Sequence, residues 1–254
     1  VQERTAKLQK AIKELEGFSY SASHEIRTPL RALNGYASLL LEDYSKVLDD
    51  EGKRMLNVIV DSANHMGDLL DDLLSFSHFS GQDPNCAAID MHSMAKLAYD
   101  ELTVENDSQT IELRIANIPA AFGDPAMIRQ VWFNLIGNAV KYTSLRENRI
   151  IEIGVVRGKD ENVYFVKDNG IGFDMAHANK LFEVFKRLPE AKGFEGTGIG
   201  LAIVKQVLQS HNGRIWADAK PGEGATFYFA LPAVTRNHCV DENKLMIKLL
   251  VENS

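Results

Sequence analysis

The sequence predicts a long helical hairpin followed by an α/β two-layer sandwich, and three observations lead to this fold class. Apolar residues recur at helical spacing through residues 5–44 and again through 56–76. A stretch with Gly, Pro and Asn at 81–88 then ends the helical pattern. Beyond it, short strand patterns alternate with helical ones. The chain therefore divides into a helical part and a mixed part.

The first helical pattern carries one apolar stripe, in steps of three, four or seven residues. Its members are Leu8, Ile12, Leu15, Ala22, Ile26, Leu30, Leu33, Ala37 and Leu40. The first turns, residues 1–17, are typical of a coiled-coil signalling helix. Because the chain starts in mid-helix without a methionine, we expect that an upstream segment is missing from this sequence.

A second helical pattern completes the hairpin. Its stripe contains Leu56, Ile59, Ala63, Met66, Leu70, Leu73 and Phe76. The residues between the two patterns, 45–52, supply the turn. An isolated hairpin leaves one apolar face open, so we expect residues 18–82 to form a homodimer, closed as a four-helix bundle.

Residues 83–232 make up the mixed part. Strand patterns cover 111–116, 150–156, 162–168, 214–219 and 226–231. Helical patterns lie near 92–104, 125–142 and 199–211. Their alternation predicts an α/β sandwich, and a tail at 233–254 falls outside it.

Charge and composition exclude several classes of function. The net charge of −7 and the lack of a Lys/Arg cluster argue against a nucleic-acid surface, because phosphate backbones need a basic stripe. No apolar run reaches the roughly 18 residues of a membrane segment. Cys86 and Cys239 show no pairing or metal-ligand pattern, which is typical of a reducing compartment. We expect a cytoplasmic location for this fragment, whether the full-length protein is soluble or membrane-anchored.

One face of the first helix carries a candidate nucleophile. At about 100° per residue, His24 lies opposite the apolar stripe and is expected in solvent, with Glu25 beside it and Thr28 one turn on. A neighbouring carboxylate can take the imidazole proton and leave a ring nitrogen free to attack an incoming group. The alternative is an ordinary surface histidine. Pro29 weakens that alternative, since an interior proline costs about 3 kcal/mol and loosens the preceding turn.

A polar stripe marks the helix that begins after Asp124 and Pro125, a capping residue and a favoured first position. Asn134, Asn138 and Lys141 follow one another at i, i+4 and i+7. Amide oxygens suit Mg²⁺ and an ammonium group suits phosphate, so the stripe fits a polyphosphate with its metal. The alternative is a solvated polar face.

A strand ends at Asp168, which stands ahead of Gly170 and Gly172. A carboxylate at this point can accept a hydrogen bond from an adenine amino group, and the two glycines let the base approach the backbone. Taken alone, the pattern is equally typical of a plain turn.

Two further glycine segments follow. The first contains Gly193, Gly196, Gly198 and Gly200. It leads into a helix, as a phosphate cradle does, but without the G-K-[ST] of a Walker loop. The second sets Gly222 and Gly224 before the last strand, where a hairpin turn is the simpler interpretation. The order of all these motifs makes the set specific.

With these motifs in place, the chain closely resembles the catalytic core of two-component sensor histidine kinases, above all phytochrome-type and PAS-linked bacterial sensors. The resemblance spans residues 5–232. It depends on SHEIRTPL (23–30), NLIGNAVKYT (134–143), DNGIGF (168–173), LFEVFKR (181–187), GTGIGL (196–201) and GEGATF (222–227). The family implies a dimerisation and histidine phosphotransfer domain at 18–82 and an ATP-binding domain of the gyrase, MutL and histidine kinase type at 83–232.

For the helical domain, the resemblance implies that His24 accepts the γ-phosphoryl group of ATP, with Glu25 as general base. The phosphoryl group would pass to an aspartate in the receiver domain of a response regulator. Thr28 would orient the water of a reverse, phosphatase reaction. An upstream sensor domain would supply the signal. The tail resembles the first strand of a receiver domain, and the alternative is a terminal element that packs on the kinase.

For the second domain, the resemblance implies ATP and Mg²⁺. The implied ATP-binding residues are Asn134, Asn138, Lys141, Tyr142, Asp168, Gly170, Gly172, Arg187, Gly196, Thr197, Gly198, Gly200, Leu201 and Thr226. Among them Asn138 would bind Mg²⁺, with Asn134 as a second candidate ligand. Arg187 would reach the γ-phosphate from a mobile lid at 186–197.

Two alternatives to a histidine kinase stay open at this point. An ATP-hydrolysing enzyme of the gyrase or MutL type shares the nucleotide fold, but it needs a carboxylate to activate water where this chain has Asn134. A non-catalytic dimeric scaffold would bind nucleotide without using it.

Overall fold

The computed structural model describes residue 23 and residues 25–79, 82–104 and 111–233. The chain divides into two compact units. The first contains Val1–Gly81 with Glu195–Ile199, and the second contains Gln82–Phe194 with Gly200–Ser254. The predictions for the coiled coil at 1–17, for the His24 imidazole and for the tail beyond Ala233 lie outside the described residues.

The helical unit is built on two antiparallel helices. They are α1, residues 25–43, and α2, Asp50–Phe79. Arg27 of α1 forms an ion pair with Asp71 of α2, and the Asn34 amide donates a hydrogen bond to Asn64. These two contacts fix the antiparallel register of the hairpin. In the described part of the chain, every helix is too short or too polar to cross a membrane.

The apolar stripe of α1 divides into two rows. Leu30 and Ala37 are buried, whereas Ile26, Leu33 and Leu40 are 46%, 53% and 43% exposed. Helix α2 has a similar exposed row at Met55, Ile59, Met66 and Leu73. A two-helix hairpin covers only one side of each stripe, so the second row stays uncovered within one chain. These seven exposed residues are called the open apolar face below.

The second unit is an α/β sandwich. Its strands are β1 (Ala87–Ile89), β2 (Ile111–Ile115), β3 (Ala121–Gly123), β4 (Arg149–Arg157), β5 (Glu161–Asp168), β6 (Arg214–Lys220) and β7 (Gly224–Pro232). Its helices are α3 (Met91–Thr103), α4 (Pro125–Tyr142) and α5 (Gly200–Ser210), with short 3₁₀ turns at Met175–Lys180 and Pro189–Ala191. The prediction of a helical region followed by an α/β domain is confirmed.

Five strands form one sheet in the order β2-β4-β5-β7-β6. Strands β2 and β4 run parallel, and every other neighbouring pair is antiparallel. Strands β1 and β3 pair separately and were not predicted, because three residues are too few to reveal a period of two.

An aromatic cluster packs α4 onto the sheet. Trp132 of α4, Tyr164 of β5 and Phe229 of β7 have no exposed surface. The Trp132 ring meets Phe229 edge to face with 5.0 Å between centroids, and Tyr164 stacks on Phe229 at the same separation. Such pairs contribute about 0.5–1.5 kcal/mol each beyond the area that they bury. The polar side of α4 is thereby turned away from the sheet.

Cys86 takes part in a disulfide bond. The expectation that the cysteines do not pair is therefore wrong for Cys86. Pairing between distant cysteines depends on the fold, which their spacing in the sequence does not reveal. Cysteine usage consequently gives no support to a reducing compartment.

A buried histidine joins the end of α5 to the start of α4. His211 is 2% exposed, and its Nε2 accepts the backbone N–H of Asp124 at 2.9 Å. The proton is therefore on Nδ1, which donates to the Val207 carbonyl at 2.7 Å. Asp124 in turn caps α4 by accepting the N–H groups of Ala126 and Met127. Burial lowers the pKa of His211, so the ring is neutral at pH 7.

Replacing His211 by Leu should lower the free energy of unfolding by about 1–3 kcal/mol, because the buried Asp124 N–H loses its acceptor. The pKa of His211 is lowered in the folded chain, so its contribution is present above the unfolded value of 6.5 and is lost as the pH falls below it. Urea denaturation at several pH values should show a smaller loss of stability on acidification in H211L than in wild type. The exposed His65 provides the control H65L, and equal pH slopes in both variants would contradict this assignment.

Candidate functional site

The polar stripe of α4 begins at Asn134, which meets the N-terminus of α5. The Nδ2 of Asn134 donates to the Gln130 carbonyl at 2.9 Å, which leaves Oδ1 as the outward atom. A Cβ at Gly200 would lie 2.2 Å from that Oδ1, so only glycine fits here beside Asn134 as it stands. The absence of a side chain at Gly200, the first residue of α5, thus leaves room for the Asn134 Oδ1 of α4.

Further along the stripe lie Asn138, Lys141 and Tyr142. Among the described residues, the Asn138 amide has no hydrogen-bond partner, and its side chain is half-buried. The Lys141 ammonium lies 4.4 Å from the Tyr142 ring centroid. Phe194 packs against the Tyr142 ring edge to face at 5.2 Å. Burial raises the pKa of Tyr142, so its phenol stays protonated and can donate.

Asp168 ends β5 with only 6% of its surface exposed. Its Oδ1 accepts the Gly170 N–H at 2.8 Å, and the Ala225 N–H also donates to the carboxylate. Burial raises the pKa of Asp168 to about 6, and these two hydrogen bonds and the charge of Arg146 only partly offset that rise. At pH 7 the group is therefore an ionised acceptor, held in one orientation.

Two glycines around Asp168 are required by backbone geometry. Gly172 has φ of 62°, and a Cβ there would lie 2.0 Å from the Lys220 carbonyl oxygen. Gly224 has φ of 101°, and its Cβ would lie 2.1 Å from the Asp168 carbonyl oxygen. The turn after β5 and the turn between β6 and β7 are therefore pressed together, and no other residue fits at either position.

Asn169 was not predicted as a site residue. Its Oδ1 accepts the Ile150 N–H at 2.9 Å and its Nδ2 donates to the Asn148 carbonyl at 2.7 Å. The side-chain amide thereby forms the two hydrogen bonds that a backbone amide of a neighbouring strand would form, and it connects the turn after β5 to the start of β4. Its position directly after Asp168 was the available signal, because Asn side chains commonly bond to nearby backbone in turns.

Arg187 lies in the segment between the two 3₁₀ turns. Its guanidinium donates to the Ala191 carbonyl at 2.9 Å and to the Phe194 carbonyl. Its charge also lowers the pKa of Tyr142, against the effect of burial. The residues Arg187, Leu188, Pro189, Lys192, Gly193 and Phe194 line a cavity of about 420 Å³. Two cationic side chains therefore border this cavity.

The remaining predicted residues fall in two places. Gly196, Thr197 and Gly198 group with the helical unit, where the Thr197 hydroxyl donates to Asp72 of α2 and accepts the Ile199 N–H at 3.2 Å. In the second unit, Leu201 lies in the first turn of α5, and Thr226 is half-buried on β7 opposite Lys167.

The predicted phosphoacceptor face lies on α1. Glu25 and Thr28 are exposed, and Arg27 between them pairs with Asp71. The helix continues through Pro29 without interruption in the described residues. The structure therefore places the carboxylate and the hydroxyl in solvent, and the imidazole of His24 lies outside the described residues.

The donor set on α4 fits Mg²⁺. Mg²⁺ prefers oxygen ligands and usually keeps waters and substrate phosphates in its shell, so one or two amide oxygens are enough. The Oδ1 of Asn134 and the amide of Asn138 can supply them. No cluster of three His, Cys, Asp or Glu side chains that could hold a metal occurs among the described residues.

Comparison with known protein families agrees with this geometry. Residues 123–235 match the model of the histidine kinase-, DNA gyrase B- and HSP90-like ATPases. Residues 14–81 match the model of the His Kinase A (phospho-acceptor) domain. The chain therefore belongs to the sensor histidine kinases, with a phosphoacceptor domain followed by an ATP-binding domain.

Several relatives share most of this chain. It is 36% identical over 230 residues to cyanobacterial phytochrome B of Nostoc sp., covering 89% of this chain and 30% of that protein. It is 32% identical over 233 residues to the sensor protein kinase WalK of Staphylococcus aureus, covering 88% of this chain and 55% of that protein. The chain thus spans less than a third of the phytochrome and about half of WalK.

A solved structure supports the fold. The crystal structure of full-length ShkA in complex with AMPPNP superposes with a TM-score of 0.65 at 25% identity, over 88% of this chain and 47% of that one.

The contact between Gly200 and Asn134 can be tested directly. Replacing Gly200 by Ala should displace the flexible end of Asn134 at little cost in stability, while affinity for Mg²⁺-ADP falls about tenfold through loss of one charge-assisted contact. Isothermal titration calorimetry would measure the affinity. The control is Gly137→Ala on α4, the helix of Asn134, where the nearest atom to the new Cβ is a Leu102 methyl at 3.6 Å. Equal affinities for the two variants would contradict the role given to Gly200.

Proposed function

We propose that this chain is a protein-histidine kinase core that uses ATP to phosphorylate His24 and then passes the phosphoryl group to an aspartate of a response-regulator receiver domain. The observation that carries the proposal is the Asp168 carboxylate, ionised and held by two backbone N–H groups beside the polar stripe of α4. A buried acceptor of this kind matches the amino group of adenine.

The second unit can bind both the adenine and the phosphates of the nucleotide. Asp168 accepts the adenine amino hydrogen beside the closely packed turn that contains Gly170 and Gly172. Lys141, Arg187 and Lys192 supply positive charge for the phosphates. Mg²⁺, when bound through Asn134 and Asn138, would neutralise part of the polyphosphate charge. The full-length ShkA complex with AMPPNP supports a nucleotide in a protein of this fold.

The transfer step needs positioning more than covalent machinery. A ring nitrogen of His24 attacks the γ-phosphorus, the bond to the bridging oxygen breaks, and ADP leaves. The proton displaced from the ring passes to the Glu25 carboxylate, which is exposed on the next residue of α1. An aspartate oxygen of the receiver domain then attacks the phosphorus and breaks the P–N bond.

The phosphatase activity is the less direct part of the proposal. Thr28 is exposed one turn after His24, so its hydroxyl can hold a water against an acyl phosphate of a docked receiver domain. The same face of α1 would then serve transfer and removal of the phosphoryl group.

The helical unit supports a homodimer. The open apolar face places seven apolar side chains in solvent in a single chain, which is typical of a surface that a partner covers. A second copy of the hairpin would bury it as a four-helix bundle. The match to the His Kinase A domain supports this arrangement, and the upstream sensor domain is inferred from the longer relatives.

Labelling separates the kinase from its two rivals. With γ-labelled ATP and Mg²⁺, the chain should acquire label in an acid-labile, alkali-stable bond, and His24→Gln should abolish it. His65→Gln, which removes an exposed histidine elsewhere in the helical unit, should leave labelling unchanged. Release of free phosphate without labelled protein would favour a gyrase-type ATPase, and binding with neither outcome would favour a scaffold.

The pKa of Asp168 sets a pH dependence for nucleotide binding. The ionised carboxylate accepts the adenine amino hydrogen more strongly than the protonated carboxyl group does, so affinity for ADP should fall about tenfold as the pH drops through about 6. The affinity of the purine ribonucleoside diphosphate that lacks the 6-amino group should change much less. Asp168→Asn should bind ADP weakly without this fall, as measured by calorimetry between about pH 5 and pH 8, about one unit below and two units above the midpoint. The same fall in the variant would assign the titration to another group.

A further inference from the structure

The turn after α4 carries an arginine that none of the motifs includes. The backbone N–H of Arg146 donates to the Thr143 carbonyl at 2.8 Å, which fixes the turn directly after the helix. The side chain is half-buried. Its Nε donates to the Asn169 carbonyl at 2.9 Å, and its Nη2 donates to the carbonyls of Gly170 at 2.9 Å and Gly222 at 2.5 Å. One guanidinium therefore holds three backbone carbonyls.

These carbonyls belong to two separate turns. Asn169 and Gly170 directly follow Asp168, whereas Gly222 lies in the turn between β6 and β7. A hydrogen bond of 2.6 Å from the Gly222 N–H to the Ile171 carbonyl joins the same two turns. A planar group with five donors suits such a bridge, and a lysine ammonium on a flexible stem does not.

The two turns also position the donors that orient Asp168. The Gly170 N–H belongs to the first turn, and the Ala225 N–H belongs to the second residue of β7, which begins where the second turn ends. If either turn shifts, one of the two hydrogen bonds to the carboxylate is lost. Arg146 therefore acts on the Asp168 carboxylate, the group proposed to bind adenine, through the two turns that it holds.

We propose that Arg146 is a positioning residue that sets adenine specificity, by clamping the two turns that bring the Gly170 and Ala225 N–H groups to the Asp168 carboxylate. The inference depends on the proposed role of Asp168 in nucleotide binding. It names a residue that acts on the base rather than on the phosphates.

The charge of Arg146 acts in the same direction as its hydrogen bonds. It lowers the pKa of Asp168 against the effect of burial and so favours the accepting, ionised form. Tyr142 also interacts with Asp168, and its raised pKa keeps it neutral. Loss of the guanidinium should both release the turns and favour protonation of the carboxyl group.

The test compares ADP with the purine ribonucleoside diphosphate that lacks the 6-amino group, because the ratio of their dissociation constants isolates the contact to Asp168. In the complete chain, Arg146→Gln should weaken ADP about tenfold and the analogue little, so the ratio falls by the same factor. The ADP binding midpoint should also move to higher pH. Arg146→Lys should keep the midpoint but recover only part of the ratio, since it restores the charge without the three-way bridge.

The control variant is Arg129→Gln. Arg129 lies on α4, is about half exposed and pairs with Glu101, so the ratio should stay at the wild-type value. A ratio in Arg146→Gln that equals that of wild type, or an equal weakening of both nucleotides, would overturn the positioning role. If Arg146→Gln does not fold, the ratio in Arg146→Lys decides by the same criterion.

The wild-type chain tests the underlying proposal separately. Failure of wild type to bind ADP, or a wild-type ratio that Asp168→Asn leaves unchanged, would overturn the adenine site itself and with it the role of Arg146. A wild-type preference that Asp168→Asn removes and Arg146→Gln leaves intact would overturn only the inference on Arg146.

Discussion

A buried carboxylate is the constraint around which the nucleotide end of the second unit is arranged. Moving an ionised group out of water is costly unless hydrogen bonds and charge compensate it. Asp168 receives two backbone N–H groups, and a guanidinium lies behind the turns that carry them. The left-handed glycines at 172 and 224 follow from the same requirement, because the turns must approach closely enough to bring those donors to one side chain.

The sequence predicts the parts of this arrangement that depend on local order. The pair of Asp124 and Pro125 predicts the start of helix α4. The polar stripe at Asn134, Asn138 and Lys141 follows from helical spacing alone. Asp168 is recognisable because it ends a strand and precedes two glycines. The fold class follows from the alternation of strand patterns with helical patterns along the chain. Strand patterns are easiest to recognise in strands of eight or nine residues, such as β4, β5 and β7.

Other features depend on contacts that spacing does not reveal. Arg146 meets carbonyls that lie 23, 24 and 76 residues further along the chain, and His211 meets Asp124 across 87 residues. Nothing local distinguishes this arginine from other loop arginines. The apolar stripe of α1 poses a similar problem, because its division into a buried row and an exposed row depends on where α2 lies. For the same reason, the pattern around His24 predicts chemistry but not the geometry of its imidazole.

Helix α4 is fastened at both of its ends by long-range contacts. His211 holds the capping residue at its start, and the turn just beyond its last residue carries the Arg146 bridge. Its central face lies on the aromatic cluster of Trp132, Tyr164 and Phe229. A helix held in this way has no low-energy route to local opening. Hydrogen exchange of its amides should therefore report the global stability of the second unit.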